Sequence, residues 1–126
     1  MNRSVLVVED EYDGQQVVSG MLAYMDIEAT LVSEAEDALY RLENEVYDGI
    51  LIDLGLPGMD GLMLLRAIRQ TSKLDVLPCI IITAFNSGQV KKEAFEAGCD
   101  AFLAKPVNAL TFEQEINRLV KKRTST

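Results

Sequence analysis

The residues of this chain that could do chemistry stand at the ends of short apolar runs. Glu9 and Asp10 follow the run SVLVV, and Asp53 follows the run GILI. Thr83 closes the run CIIIT, and Lys105 follows the run AFLA. Carboxylates, a hydroxyl group and an ammonium group together can bind a hard cation and a phosphate group. The chemistry that would use all of them is phosphoryl transfer onto the Asp53 carboxylate.

Three carboxylates gathered at one place need a balancing charge. At ~4 Å and an effective dielectric constant near 20, one pair of like charges costs about 4 kcal/mol. Either one carboxyl group takes a proton or a cation binds. The chain has no histidine, and ligands that are all oxygen suit Mg²⁺ or Ca²⁺. A site with few carboxylates and room for water and a phosphate group favours Mg²⁺.

Taken one at a time, these residues have ordinary explanations. Asp53 alone could equally be a cap or a turn residue, Thr83 alone is typical of a strand, and Lys105 alone is typical of a solvated surface. Their joint placement at the ends of apolar runs is what favours a functional site.

Composition restricts the class of protein. The chain has 126 residues and 48% hydrophobic residues, which predicts a single domain over residues 1–126 with one packed fold. The net charge of −8 argues against direct binding to nucleic acid or to an anionic membrane. The absence of histidine removes Ser-His-Asp and Cys-His catalysis. Cys79 and Cys99 are expected to be packing residues, and a reduced, cytoplasmic location is the simplest expectation.

Apolar runs alternate with amphipathic stretches along the whole chain. The runs 4–8, 49–52 and 79–83 are apolar throughout, as expected of central strands covered on both faces. The stretch 27–33 alternates, which is typical of an edge strand, and 101–104 is a short fifth run. Strand and helix in turn, five times, predict an α/β fold with a doubly wound parallel sheet. Ligands of such sheets bind beyond the carboxyl ends of the strands.

The amphipathic stretches predict five helices. Their inward residues are Val17, Val18, Met21, Leu22 and Met25 in the first; Ala35, Leu39 and Leu42 in the second; Leu64, Leu65 and Ile68 in the third; and Phe112, Ile116, Leu119 and Val120 in the fifth. Gly98 is well placed to end the fourth helix.

Polar residues predict the starts of three of these helices. Ser33 and Glu36 predict a capping box at the start of the second helix. Asp60 is expected to cap the third helix, and either Asn86 or Ser87 the fourth.

With these motifs in place, the sequence resembles the receiver domain of two-component response regulators over residues 3–122. The resemblance rests on VVEDE, LIDLGLPGMDG, IITAF and AFLAKP, which agree with the family in both order and spacing. It implies a flavodoxin-like sheet with the strand order 2-1-3-4-5. It also implies that Asp53 accepts a phosphoryl group from a sensor histidine kinase or a phosphotransfer protein. Such a domain catalyses only its own phosphorylation and dephosphorylation.

The resemblance assigns a metal-binding role to one group of residues. Asp10 and Asp53 would ligate Mg²⁺ directly, and the backbone carbonyl of Gly55 would be the third protein ligand. Glu9 would act through a metal-bound water molecule.

The resemblance assigns contacts with the phosphoryl group, and a switch, to a second group. Thr83, the backbone N–H of Ala84 and Lys105 would contact phosphoryl oxygens. Thr83 and Phe102 would move together on phosphorylation and reshape the surface of the fourth helix, fifth strand and fifth helix. A downstream effector or a second copy of the chain would bind there. The Lys105–Pro106 peptide bond is expected to be cis.

The sequence departs from the family pattern beside the acceptor. Gly55 stands two residues after Asp53, where the family often has a larger side chain that influences the attacking water. Phe85, two residues after Thr83, is bulky. These two residues predict slow loss of the phosphoryl group.

Three alternatives stay open. A haloacid-dehalogenase-type, magnesium-dependent aspartyl phosphatase needs a second acid where this chain has Gly55, and its nucleophile follows the first strand. A flavodoxin needs a hydroxyl-rich phosphate loop, where this chain has the acidic stretch EDEYDG. A receiver-like interaction module that works without phosphorylation usually lacks a key residue, and this chain has them all. Whether the domain stands alone or belongs to a longer protein is also open.

Overall fold

A computed structural model describes residues 2–56 and 59–122. In these stretches, strands and helices alternate strictly. The strands are β1 (Ser4–Val8), β2 (Glu28–Val32), β3 (Gly49–Ile52), β4 (Cys79–Thr83) and β5 (Ala101–Ala104). The helices are α1 (Tyr12–Tyr24), α2 (Ala35–Asn44), α3 (Gly61–Gln70), α4 (Gly88–Ala97) and α5 (Ala109–Leu119). All strand pairs are parallel, and the order β2-β1-β3-β4-β5 confirms the predicted sheet.

Helices cover both faces of this sheet. Successive side chains of a strand point to opposite faces. Val5 and Val7 of β1 join a buried cluster with residues of α1 and α5. Leu6 and Val8 join another with residues of α2, α3 and α4. Both sets are apolar because both faces are buried, as predicted for a central strand.

The start of α2 differs from the prediction. Glu34 is the N-cap residue and makes no side-chain capping hydrogen bond, so the predicted capping box of Ser33 and Glu36 is wrong. The Ser33 hydroxyl lies one position too early, and it accepts a hydrogen bond from Gln15 Nε2 at 3.3 Å instead. The strand before it, β2, is also one residue shorter at each end than the predicted 27–33.

The inward face of α1 is narrower than predicted. Val18 and Leu22 are buried, while Met21 and Met25 are partly buried against the same cluster. Val17 is 53% exposed, so its prediction as an inward residue is wrong. Adjacent helical residues are about 100° apart around the axis, and the buried stripe along Val18 and Leu22 leaves Val17 on its rim.

Other helix ends form as predicted. The carboxylate of Asp60 accepts a hydrogen bond from the Met63 N–H at 2.8 Å and caps α3. Of the two candidates for α4, the cap is Ser87, whose hydroxyl accepts from the Val90 N–H at 3.2 Å. Gly98 ends α4 with a φ of 111°, a left-handed conformation that favours glycine.

Both cysteines are buried free thiols, which confirms their prediction as packing residues. Burial raises the pKa of Cys79 to about 12 and that of Cys99 to about 11. The protonated thiol is unreactive as a nucleophile, so neither residue is placed for thiol chemistry.

The Arg69 guanidinium joins distant parts of the fold in a way that the sequence did not indicate. Its Nε donates to the Gly98 carbonyl at 2.9 Å. Its Nη1 donates to the carbonyls of Asp75 at 3.0 Å and Leu77 at 2.7 Å. Its Nη2 contacts Asp100 Oδ2 at 3.0 Å. The end of α3 is thereby fixed to the loop before β4 and to the loop before β5.

No helix in the described stretches combines the length and the apolar character that crossing a membrane requires.

Candidate functional site

The sheet itself brings the predicted site residues to one edge. Hydrogen bonding between strands continues past the strand ends: the Glu9 N–H donates to the Val32 carbonyl and the Asp53 N–H to the Val8 carbonyl, each at 3.0 Å. The Lys105 N–H donates to the carbonyl of Thr83 at 2.9 Å. These backbone bonds fix the starting points of the Glu9, Asp53 and Lys105 side chains at the carboxyl edge of the sheet.

Asp53 is the best-anchored carboxylate at this edge. The Lys105 ammonium contacts Asp53 Oδ2 at 2.8 Å. The Thr83 hydroxyl donates to Asp53 Oδ1 at 3.0 Å, and the Gly55 N–H donates to the same oxygen at 3.1 Å. Asp53 is only 7% exposed, so these partners replace water around a carboxylate that would otherwise be costly to bury.

Two further carboxylates lie beside Asp53. Glu9, Asp10 and Asp53 each offer an oxygen atom, and these three atoms lie within 4.8 Å of one another. Burial, followed by the contact with Asp53, raises the pKa of Glu9 to about 7, although Lys105 acts in the opposite direction. Burial also raises the pKa of Asp53, but hydrogen bonds with Glu9 and Lys105 outweigh it, and that pKa is lowered. Of the two acids, Glu9 is therefore the one that takes up a proton first as the pH falls.

Lys105 supplies the positive charge of the site. Its Nζ lies 3.0 Å from Glu9 Oε2 as well as 2.8 Å from Asp53 Oδ2. Burial lowers the pKa of Lys105, but the hydrogen bonds to Asp53 and Glu9 outweigh it and raise the pKa above its ordinary value. The lysine therefore stays positively charged at neutral pH, and its ammonium group is suited to hold a carboxylate or a phosphoryl oxygen.

The donor set fits a hard divalent cation. The three carboxylates present only oxygen, and Asp10 is exposed while the other two are buried. One ammonium group facing three acids leaves negative charge at the edge, and a cation would balance it. Gly55 is exposed, and its N–H contacts Asp53 Oδ1, so its backbone lies beside the carboxylates. These residues suit Mg²⁺ better than a thiolate- or imidazole-binding metal.

Thr83 is completely buried at the end of β4, where it pairs in register with Ala104 of β5. Its hydroxyl donates to Asp53 and accepts a hydrogen bond from the Phe85 N–H at 3.2 Å. Ala84 follows at the exposed edge. The structure thus brings Thr83 to Asp53 as predicted and places Ala84 at the same edge of the sheet.

Phe102 of β5 lies on the face of the sheet that α4 covers. Phe102 is half-buried and packs against the cluster that includes residues of α2, α3 and α4. It pairs in register with Ile81 of β4, two residues before Thr83. The Lys105–Pro106 bond is cis, as the resemblance implied.

The ring of Phe85 occupies the space beside Gly55. A Cβ atom added to Gly55 would lie 2.7 Å from Phe85 Cε2. The two residues that set this sequence apart from the family pattern therefore touch each other, and the ring fills the position where a side chain at residue 55 would begin.

A close contact between Gly61 and the backbone of the acceptor was not predicted from the sequence. Gly61 opens α3, and a Cβ there would lie 2.5 Å from the backbone oxygen of Asp53 and 2.7 Å from Leu54 Cα. Backbone atoms cannot move aside as a side chain can, so this position admits only glycine without local rearrangement. The only sequence signal for this contact was that a glycine directly follows the predicted helix cap Asp60.

Comparison with known proteins gives one consistent family. A model described as the response regulator receiver domain matches residues 5–117. The two-component response regulator PhoP of Pseudomonas aeruginosa is 37% identical over 118 residues, covering 94% of this chain and 52% of PhoP. Chemotaxis protein CheY-3 of Vibrio cholerae is 30% identical over 124 residues, covering 96% of this chain and 94% of CheY-3. The chain thus spans about half the length of PhoP.

A solved structure agrees in both fold and sequence. The receiver domain of the sensor histidine kinase PA1611 of Pseudomonas aeruginosa superimposes with a TM-score of 0.88 and 30% identity, covering 95% of this chain and 98% of that chain. That protein was solved with a magnesium ion coordinated in its active site cleft.

Proposed function

Because this chain belongs to the family of response regulator receiver domains, we propose that Asp53 accepts a phosphoryl group from a phosphohistidine. One observation carries the proposal: three hydrogen-bond donors hold the Asp53 carboxylate at the carboxyl edge of the sheet. Those donors hold the nucleophile in one orientation before any substrate arrives.

In the reaction, an oxygen of Asp53 forms a bond to phosphorus while the bond from phosphorus to the donor nitrogen breaks. The product is an acyl phosphate on Asp53, and the leaving imidazole keeps the electron pair and takes up a proton. The lowered pKa of Asp53 keeps its carboxylate ionised at neutral pH, which a nucleophile requires.

The neighbouring residues take up the charge of the incoming group. Lys105 Nζ can turn from the carboxylates to a phosphoryl oxygen. The Thr83 hydroxyl and the Ala84 N–H serve as two further donors at the same edge. Preorganised donors of this kind stabilise the charge that develops in the transition state.

The acidic group fits Mg²⁺, with Asp10, Asp53 and the Gly55 carbonyl as direct ligands and Glu9 acting through water. When bound, Mg²⁺ supplies charge neutralisation for the approach of an anionic phosphoryl group to an anionic carboxylate.

The proposal extends to partners and output. A sensor histidine kinase or a phosphotransfer protein would supply the phosphoryl group in the cytoplasm. The surface of α4, β5 and α5 would carry the output to an effector or to a second copy of the chain. The domain would catalyse only its own phosphorylation and dephosphorylation.

The test is labelling with acetyl phosphate and Mg²⁺, followed by intact-mass spectrometry. The wild-type protein should gain one phosphoryl group, and hydroxylamine should remove it because acyl phosphates are labile. Asp53→Asn should gain none.

Asp60→Asn is the matched control, because it removes an acid from the same loop while asparagine still caps α3. It should be labelled like the wild type. Labelling of Asp53→Asn at the wild-type level would refute the acceptor assignment. A wild-type protein that stays unlabelled would favour the interaction module that works without phosphorylation.

A further inference from the structure

The first turn of α1 contains a glycine at the point where the Glu9 side chain lies. A Cβ atom added to Gly14 would lie 2.5 Å from Glu9 Oε1, 2.7 Å from its carboxyl carbon and 3.1 Å from its Cγ. Real Cβ atoms do not approach so closely, so the Glu9 carboxylate occupies the space that any other residue at position 14 would fill.

Hydrogen bonds hold both the backbone and the carboxylate of Glu9 in this position. Gln15 Nε2 donates to the Glu9 backbone carbonyl at 2.7 Å. The Glu11 N–H donates to Glu9 Oε1 at 3.3 Å, and Lys105 Nζ contacts Oε2 at 3.0 Å. The backbone of Glu9 is thereby fixed, and its carboxylate is directed into the notch at Gly14.

We propose that Gly14 is a positioning residue for the acidic site: its missing side chain lets the long Glu9 side chain fold back against α1 and stay beside Asp53 and Lys105. This inference rests on the proposed function, since it concerns the metal-binding acids of that site. The atoms that fill the notch are Oε1, the carboxyl carbon and Cγ of Glu9, and an alanine at position 9 would lack all three.

A side chain added at Gly14 would clash only with the Glu9 side chain among the nearest atoms, so the substitution should not unfold the protein. The atoms that a Gly14 side chain would meet belong to the end of a flexible side chain, so Glu9 can swing away while the backbone stays in place. Alanine also favours a helix over glycine. Gly14→Ala should therefore raise the melting temperature while it displaces Glu9.

Gly20 offers a matched control in the same helix. Among the described residues, no heavy atom outside its own surroundings in the helix lies within 4 Å of a Cβ added there. Gly20→Ala should raise the melting temperature in the same way and leave the acidic site unchanged.

The experiment is a titration of each protein with Mg²⁺ alone, followed by tyrosine fluorescence, because the chain has no tryptophan. We expect Gly14→Ala to weaken Mg²⁺ binding about tenfold, in the range seen when outer contacts of metal ligands are lost. Gly20→Ala should bind like the wild type. In a Glu9→Ala background, Gly14→Ala should no longer weaken binding, because alanine has no side-chain atom beyond Cβ to enter the notch.

The outcomes separate this inference from the proposed function. Equal Mg²⁺ affinity for the wild type, Gly14→Ala and Gly20→Ala would overturn the role of Gly14 while leaving the function intact. An equal loss in the Glu9 and Glu9→Ala backgrounds would also overturn it, because the effect would not pass through the glutamate side chain. A wild-type protein that neither binds Mg²⁺ nor accepts a phosphoryl group would instead refute the function on which the inference rests.

Discussion

The ammonium group of Lys105 is shared between two carboxylates, and this sharing sets unequal roles for the acids. Glu9 and Asp53 each hold one contact to Lys105 Nζ, whereas Asp10 is exposed. The raised pKa of Glu9, about 7, also leaves that group partly protonated near neutral pH. Asp10 is therefore the acid most available to an incoming cation.

We expect Asp10→Ala to weaken Mg²⁺ binding more than Glu9→Ala does. A ligand that binds only the folded state stabilises it by about 2.7 kcal/mol at a hundred times its dissociation constant. The rise in melting temperature with added Mg²⁺ therefore measures the effect. Asp13→Ala, which removes an acid from the first turn of α1, is the control. A larger loss for Glu9→Ala would contradict this division of roles.

The contact between Gly55 and Phe85 predicts slow loss of the phosphoryl group. The Phe85 ring fills the space beside Gly55, and Gly55 has no side chain to orient an attacking water. Gly55→Asn should displace the ring and speed hydrolysis roughly tenfold, which corresponds to about 1.4 kcal/mol in the barrier. Phe85→Ala should also speed it. Decay of the labelled protein after removal of the donor gives the rate.

Phe95→Ala controls for the loss of a partly exposed phenylalanine, because Phe95 lies on α4. It should decay like the wild type. An unchanged rate in both Gly55→Asn and Phe85→Ala would show that this contact does not limit hydrolysis.

At the scale of elements, β4 and β5 lie between the acceptor and the proposed output surface of α4, β5 and α5. Thr83 ends β4 and already donates to Asp53, while the neighbouring Phe102 is half-buried on the α4 side. A phosphoryl group adds negative charge and acceptor oxygens, and drawing Thr83 towards them would open space beside β5. A half-buried ring is poised to fill such a space.

We therefore expect Phe102 to turn inward when Asp53 is phosphorylated. Structures with and without beryllofluoride, which mimics the phosphoryl group, provide the measurement. Thr83→Ser, which keeps the hydroxyl, should preserve the change, and Thr83→Ala should abolish it. One Phe102 rotamer in both wild-type states, with Thr83 unmoved, would rule out this two-state element.

The arrangement of elements was predictable because parallel strands impose it. Apolar runs separated by amphipathic stretches predict the sheet, and polar residues after those runs must then share one edge. The meeting of Glu9, Asp53 and Lys105 follows from that rule. The exact residue at which an element begins or ends was less predictable. Ser33 looked like a cap, but its hydroxyl contacts Gln15 across the fold.

Contacts that depend on side-chain packing were not predictable. Nothing local to Arg69 shows that Gly98 and Asp100, about thirty residues further along, accept its hydrogen bonds. The closeness of Gly61 to the backbone of Asp53 likewise depends on how α3 meets β3. Such contacts arise from the final docking of elements, which periodicity and spacing do not specify.

For the molecule as a whole, Arg69 contributes to stability by joining separate segments. Arg69→Ala would leave the carbonyls of Leu77 and Gly98 without these donors. We expect a loss of about 2 kcal/mol in the free energy of unfolding, because hydrogen bonds to charged groups contribute more than neutral ones. Urea denaturation measures this loss.

Arg66→Ala is the control for Arg69→Ala, because Arg66 is an exposed residue of the same helix. It should change the stability by less than about 0.5 kcal/mol, as is usual for surface substitutions. Equal stability of the two variants would show that the Arg69 contacts contribute nothing to the fold.

The position of β3 at the centre of the sheet has a consequence for hydrogen exchange. All four β3 residues are buried, with β1 on one side and β4 on the other, whereas β5 lies at an edge. Amides at sheet edges exchange by local opening, and those of central strands wait for global unfolding. We therefore expect the amides of β3, which precedes Asp53, to exchange last, and those of β5, which precedes Lys105, to exchange early. Brief openings of β5 would therefore remove the lysine while the acceptor stays in place.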